Sequence, residues 1–480
     1  MLSPPPRTIP AGVRVPTRRN AELVMVLFAM TIVTFYTATM ELALVGHLPA
    51  DFFVLPVLLT MVFVGAHVVV RILVPYADPA ILPCVALLNG LGVMFLRRLD
   101  LGDAKVADRA GLSNFGGLAF HQLTWTVVAL VVAVVALIVV RDHRSLSRYA
   151  YTLGLIGIIL MMLPAVLPAK FSEVNGAKLW IRVGGFQIQP GEFAKLLLLC
   201  LISYYLVRKR EVLSLASRRF AGIDFPRGRD LGPVLVVWVL SLMVLVFEKD
   251  LGTSLLYFGL FVVTLYIATE RVSWLIIGLL LFFGGSTLAY FLGAAIGGPF
   301  ANFYLRVTIW LDPFGDPTNK GYQLVQSLLG LGTGGIFGAG PGSGNPGLVP
   351  FVENDFIFAG FGEEIGLFGL TALLLVYLVI VERGLRAALA VRDSFGKLVA
   401  GGLSFTLGLQ IFVMVGGITG LIPLTGQTTP FLSAGGSSLM ANWLLVALLL
   451  RISDAARRPA TVGESKAPVK LTGMATEVIR

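Results

Sequence analysis

The segment PFVENDFIFAGFGEEIG, residues 350–366, places Glu353 and Asp355 at the mouth of an otherwise apolar helix, with Glu363 and Glu364 two turns further in. Hydrocarbon penalises a carboxylate by about 3 kcal/mol or more, so acids in such places are usually paired or functional. Asp355 can cap the helix, and the helix dipole there keeps it ionised. An ionised carboxylate at the membrane surface is also the general base that a sugar hydroxyl needs. Glu363 and Glu364 fall about 12 Å deeper at 1.5 Å per residue. That depth suits hydrogen bonding to broken or neighbouring helices rather than chemistry on a headgroup.

Three further stretches carry polar groups at spacings that could act together. Glu192 and Lys195 are three positions apart and share one helix face. The pair is either a helix-end ion pair with Lys195 snorkelling to the interface, or a cation held for a pyrophosphate and oriented by Glu192. Lys178 and Arg182 flank Trp180 just before it. Trp180 alone would be an interfacial anchor; with two cations beside it, the surface suits a phosphate joined to a sugar. Asp250 opens LGTSLLYFGLFVV and can cap that helix. With Glu248 around Lys249, it could equally bind a metal ion or position a hydroxyl. GYQLVQSLLGLG puts Gln323, Gln326 and Ser327 on one helical face and Leu324, Val325 and Leu328 on another. Such a helix either lies in the membrane interface or packs on the ends of other helices, and Tyr322 and Gln326 are its candidate substrate contacts. Gly342, Gly344 and Gly347 match GxGxxG, but no strand precedes them, which excludes a nucleotide fingerprint. These glycines are expected to let the loop fold close to the membrane surface.

The elements that must position these groups are membrane helices. Of 480 residues 56% are hydrophobic and 13% charged, with a mean hydropathy of +0.86, and the apolar residues fall in bilayer-length runs. Twelve spans are expected, at 22–45, 53–73, 80–96, 120–140, 149–168, 192–207, 231–247, 251–269, 273–295, 356–381, 398–421 and 431–450. Arg7, Arg14, Arg18 and Arg19 predict a cytoplasmic N-terminus. With twelve spans, 26 of the 37 Lys and Arg then lie on the inner side and 10 on the outer, with Lys195 inside a span. This loop bias accounts for the net charge of +10 without nucleic acid. The C-terminus is then cytoplasmic too, and both tails (1–21 and 456–480) are expected to be disordered. Every unusual polar cluster falls on the outer face, where ATP and sugar nucleotides are absent; an enzyme there needs a substrate that is already activated and usually lipid-linked. Cys84 and Cys200 sit in apolar runs and read as core residues, and four scattered histidines form no ligand spacing.

Five stretches, NGAKLWI…QPGEFAK, DLGTS, DPFGDPTNKGYQLVQS, NDFIFAGFGEEIGLFG and TTPFLSAGGSSL, together resemble the SEDS family (shape, elongation, division and sporulation). They occur in family order over residues 80–455, which makes 22–79 two additional N-terminal helices on a ten-helix core, with a large extracytoplasmic loop between helices nine and ten. The resemblance implies a peptidoglycan glycosyltransferase that polymerises lipid II on the outer face of the cytoplasmic membrane, paired with a class B penicillin-binding protein. It implies that Asp355 is the catalytic aspartate, that Glu192 and Lys195 are a functional pair, and that Asp250 is a functional acid. Members commonly read LPE-x-HTDFIF before the catalytic acid; here PFVENDFIF removes the His and Thr, and Glu353 is the candidate to replace them. The pattern leans towards the RodA-like elongation role over the FtsW-like division role. No cofactor is implied beyond a divalent cation, Mg or Mn, that could share the charge near Asp355 or Asp250. The rival reading is a flippase for the same lipid, which would place its polar site near the midplane and often show inverted repeats.

Overall fold

The computed structural model describes residues 17–102, 117–174, 177–183, 186–214, 218–220 and 223–225, isolated positions between 232 and 243, and 250–459. In hydrocarbon every backbone donor and acceptor must be satisfied within its own segment, so long apolar runs become helices. In chain order these are α1 (Arg19–Val45), α2 (Val54–Leu73), α3 (Ile81–Gly102), α4 (Leu118–Val139), α5 (Ala150–Val166), α6 (Pro190–Ser214), α7 (Leu251–Thr269), α8 (Val272–Ala295), α9 (Ala301–Leu311), α10 (Tyr322–Gly334), α11 (Ile357–Ala390), α12 (Ser394–Ile418) and α13 (Gly436–Arg457). Among the described residues ten helices are long and apolar enough to cross a membrane, and α5 is a shorter apolar helix. Each expected span coincides with one of these helices except 231–247, most of which lies outside the described residues, as do Glu248 and Lys249 and nearly all of both tails. The molecule is a predominantly helical polytopic membrane protein.

Helices α3, α12 and α13 form the buried centre, with Trp443, Phe95 and Leu407 among their enclosed side chains. The outer helices α1, α2, α4, α5 and α8 expose large apolar residues such as Phe28, Phe35, Phe283 and Phe291, the surface that lipid would cover. Among the described residues three two-stranded antiparallel pairs, which the apolar pattern does not announce, occur in polar connections: β1 (Glu173–Val174) with β2 (Ala177–Lys178), β3 (Ile181–Val183) with β4 (Phe186–Ile188), and β5 (Arg218–Phe220) with β6 (Ile223–Phe225).

One expectation is corrected by packing. The expected span 80–96 left Arg97 and Arg98 in a basic outer loop, but α3 continues through both, and both are buried. Arg98 Nε donates to Glu364 at 2.5 Å, and Arg97 lies 3.6 Å from Glu41 of α1. The helix can extend because each guanidinium has an acid opposite, as buried charge requires. The glycine-rich stretch around 342–347 packs Gly342 against the backbone of Met40 in α1 and Gly344 against the side chains of Glu363 and Glu364 in α11.

Helix α11 is broken rather than continuous, because Gly366 has φ +64°. Only glycine adopts that region without penalty, and a Cβ here would meet Gly338 N at 2.3 Å. The backbone groups freed by the break are satisfied by residues 335–340. Ala339 N and Gly340 N donate to Glu363 O and Glu364 O, each at 2.9 Å, while Leu367 N and Phe368 N donate to Gly335 O and Ile336 O. Before the break, residues 356–364 are buried; beyond it, Leu367, Phe368, Leu375 and Leu378 are exposed. The first turns of α11 are thus enclosed by protein, whereas after Gly366 one face stays buried through Leu370, Leu373, Tyr377 and Ile380 and the other is exposed.

Candidate active site

One end of the bundle gathers the starts of three helices: α6 with Glu192, α7 with Asp250, and α11 with Asp355 just ahead of it. The connection 419–435 threads among them, and α9 adds a side chain that the sequence reading passed over, Arg306.

Asp250 caps α7 as expected. Its Oδ1 accepts from Thr253 N at 3.0 Å, its Oδ2 accepts from the Thr253 hydroxyl, and Gln427 Nε2 donates to Oδ1 at 3.4 Å. It is buried, and desolvation raises its pKa against the lowering effect of these bonds and of Arg306. The charge of Glu192 is also felt here.

Asp355 does not cap α11. The cap position is Phe356, and no side chain caps that end. Its carboxylate makes no hydrogen bond among the described residues, so it remains available for chemistry. Burial pushes its pKa up to about 6; Arg306 opposes this, while Asp250 and Glu353 add to it. Arg306 and Asp355 converge on Gly426, which has φ +73°; a Cβ there would stand 3.4 Å from Arg306 Nη2 and 3.6 Å from Asp355 Oδ2. The positive φ and the lack of a side chain leave open the space between acid and cation. Arg306 Nη1 donates to Leu424 O at 2.6 Å, and Trp310, one turn along the same face, donates to Gly420 O at 2.7 Å. That i, i+4 pair of long donors in a polar loop was the available signal for Arg306.

Glu353 is half-buried beside Asp355, and its carbonyl accepts from Ala434 N at 2.8 Å. Ser433 Oγ donates to Asn354 O and accepts from Thr429 N, so the 425–435 loop and the lead-in to α11 hold each other in place.

Glu192 and Lys195 form a buried pair. Lys195 Nζ donates to Glu192 Oε2 at 2.7 Å and to Gln410 Oε1 at 3.2 Å, and Gln410 Nε2 donates to Thr428 O at 3.2 Å. Lys195 is 4% exposed, so its ammonium neither snorkels nor stands open to a ligand. Its bonds instead connect α6 through α12 to the loop that carries Gly426 and Gln427.

Lys178, Trp180 and Arg182 occupy the hairpins ahead of α6, all half-buried, with Lys178 opposite Glu173 and Arg182 opposite Gln187. Arg182 Nε is buried without a hydrogen-bond partner among the described residues. Gln189 N donates to Ser437 Oγ at 3.1 Å, which ties the base of the second hairpin to α13 beside the same loop. The three side chains share no hydrogen bond or ion pair with Asp355 or Arg306. Tyr322 and Gln326 lie half-buried on α10, which packs against α11 and α12. Ser327 is buried with Leu324 and Val325 and donates to Ile418 O at 3.3 Å, so the helix packs on neighbours and does not float in an interface.

Glu363 and Glu364 serve the fold. Glu363 accepts from Asn345 N at 2.8 Å, and Glu364 takes Arg98 and the Tyr36 hydroxyl, the latter at 3.2 Å. For a divalent cation, no three Asp, Glu, His or Cys side chains gather into a ligating set among the described residues. Asp250 is taken up by Thr253 and Gln427, and Arg306 brings its own positive charge to Asp355. Among the described residues this donor set does not fit a resident metal; Glu248, the other candidate ligand, lies outside them.

Known proteins agree with this architecture. The model for the FtsW/RodA/SpoVE family of cell cycle proteins matches residues 78–458. The peptidoglycan glycosyltransferase RodA of Mycobacterium tuberculosis is 49% identical over 465 residues, covering 97% of this chain and 96% of that protein. That of Mycobacterium leprae is 48% identical over 92% of each. A probable peptidoglycan glycosyltransferase FtsW of Geobacter metallireducens is 35% identical over 65% of this chain and 79% of its own. Among solved structures, a chain from a peptidoglycan synthase complex that coordinates polymerisation and crosslinking aligns with a TM-score of 0.59 and 27% identity, covering 79% of this chain and 98% of that one. With a family match across most of its length and relatives nearly half identical, the chain belongs to the FtsW/RodA/SpoVE family.

Proposed function

We propose that the protein is a peptidoglycan glycosyltransferase of the elongation type, polymerising lipid II at the outer face of the cytoplasmic membrane, with Asp355 as general base. The observation that carries the residue assignment is the uncapped, partly desolvated carboxylate of Asp355 converging with Arg306 on the open space at Gly426. A pKa of about 6 keeps this base mainly ionised at neutral pH, yet basic enough to take a proton as the bond forms. The 4-hydroxyl oxygen of the acceptor attacks the anomeric carbon of the donor and gives its proton to Asp355. The bond from that carbon to the lipid pyrophosphate breaks, and the pyrophosphate departs with the electron pair. Arg306 is placed to stabilise the charge that develops. A preorganised donor of this kind supplies about 3 kcal/mol when it meets the transition state. Lys178, Arg182 and Trp180, on the hairpins beside the 425–438 loop, offer a second cationic surface for phosphate and sugar, with Tyr322, Gln326 and Glu353 as further candidate contacts. Lys195, Glu192 and Asp250 hold the loops in register.

The cytoplasmic termini rest on the basic loop bias, and a class B penicillin-binding protein as partner rests on the relative drawn from a synthase complex. The elongation role over the division one rests on the identity to RodA proteins, 49% against 35% for the FtsW relative. A flippase of the same lipid is the rival, and the polar site at one end of the bundle, away from its middle, disfavours it.

The test is polymer formation from labelled lipid II by the protein with its cognate transpeptidase, the latter inactivated. Polymer made by the native complex and lost with Asp355→Ala in a folded, assembled complex supports the proposal. Polymer that persists removes Asp355 as the base, and no polymer from an intact native complex, with lipid translocation in vesicles, installs the flippase.

A further inference from the structure

At the opposite end of the bundle, α6, α7 and α11 finish together where α12 begins. Between them is a cavity of about 110 Å³, several times the roughly 15 Å³ needed to hold one water. One wall is apolar, with Leu206, Ile267 and Leu398; the other carries Arg210, Glu270, Arg392, Asp393 and Lys397. The two acids are already engaged. Glu270 pairs with Arg210 at 3.2 Å. Asp393 caps α12 through Gly396 N and receives His143 at 2.8 Å and Arg144 at 3.3 Å. Arg392 and Lys397 are exposed and have no acidic partner among the described residues. The cavity therefore presents two uncommitted cations beside an apolar wall, at the level where the apolar surface of α6 gives way to Arg208, Lys209 and Arg210.

A phosphate group on an apolar tail satisfies both walls at once, and basic pockets between membrane helices bind such headgroups. We propose that this cavity is a binding site for the phosphodiester of an anionic phospholipid, in the leaflet opposite the one that meets Asp355. A soluble phosphate would use only the charged wall and leave the apolar wall wet.

The test uses the full chain in detergent and native mass spectrometry with phosphatidylglycerol, phosphatidylcholine or inorganic phosphate as probe. Compared are the native protein, the double variant Arg392→Gln with Lys397→Gln, and Arg148→Gln, which removes an exposed cation outside the cavity. All three substitutions are at exposed positions, and matching thermal melts check that folding is intact. The native chain should retain phosphatidylglycerol over phosphatidylcholine. The double variant should lose about thirtyfold in affinity, the contribution of two interfacial cations, and Arg148→Gln should lose little. Equal losses in both variants would reduce the effect to general surface charge and overturn the site, as would unchanged binding in the double variant. Displacement of phosphatidylglycerol by millimolar inorganic phosphate would overturn the lipid assignment in favour of a soluble anion.

Discussion

The carboxylate of Asp355 stands among charges that pull its proton affinity in opposite directions, which makes its role measurable. Desolvation lifts its pKa, Arg306 opposes that, and Asp250 and Glu353 add to it, for a net value of about 6. The base acts when ionised, so kcat/KM should rise with pH through about 6 and level off above. Arg306→Ala should move that limb to higher pH as well as slow the reaction, because the group that favours the ionised form is gone. Asp250→Asn should move it lower, because a like charge is gone. A pH–rate profile with neither displacement would detach the limb from Asp355. Asp355→Asn should lower the polymerisation rate about 10²–10⁴-fold, the usual weight of a general base, with the fold retained. Lys195 poses a separate question of stability. Lys195→Met leaves Glu192 buried and unpaired and should cost about 3–5 kcal/mol, whereas adding Glu192→Gln should recover much of it; unfolding of the three forms decides. The acids were legible in the sequence because each stands at the edge of an apolar run, where a charge is conspicuous. Arg306 was not, because the carbonyl that fixes it lies 118 positions further along the chain. Lys195 was conspicuous for the same reason as the acids, but its burial depends on Gln410, 215 positions away.

At the scale of elements, hydropathy located the spans because length and apolarity are properties of a segment by itself. The break in α11 was invisible for the opposite reason. Gly366 in an apolar run reads as a tolerated helical glycine, and the backbone partners that make a break affordable come from residues 335–340. The hairpins ahead of α6 were likewise hidden, since two- and three-residue strands carry no periodicity to read. The break is testable by Gly366→Ala, which combines a positive φ with a Cβ 2.3 Å from Gly338 N. The backbone at φ +64°, ψ −174° is a region essentially reserved for glycine and alone costs another residue about 1–3 kcal/mol, and the clash is with backbone, which cannot swing aside. The variant should melt at lower temperature and lose polymerase activity together, because the enclosed turns before the break carry the lead-in bearing Asp355. A variant with native melting and native activity would mean that the segment tolerates a continuous helix.

The whole molecule is asymmetric across the membrane, and its two ends make opposite demands. One end holds Asp355, Arg306 and Asp250 in a half-enclosed cluster; the other collects arginine and lysine around the ends of α6, α11 and α13. Under the orientation proposed from the positive-inside bias, the second end would lie in the cytoplasm, and a substrate carried on a lipid would be met by the first end from outside. The assignment can be read with single cysteines, because native Cys200 is buried and Cys84 is half-buried. Phe314, exposed between α9 and α10, belongs to the Asp355 end, and Arg148, exposed between α4 and α5, to the other. In a Cys84→Ala, Cys200→Ala background, Phe314→Cys should react with a membrane-impermeant maleimide on intact cells, and Arg148→Cys only after permeabilisation. The reverse pattern would turn the active end towards the cytoplasm, where soluble activated sugars exist, and would remove the physical reason for a lipid-linked donor. Reaction of both positions on intact, unlysed cells would mean that the chain does not hold one orientation, and the loop bias would then not decide its topology.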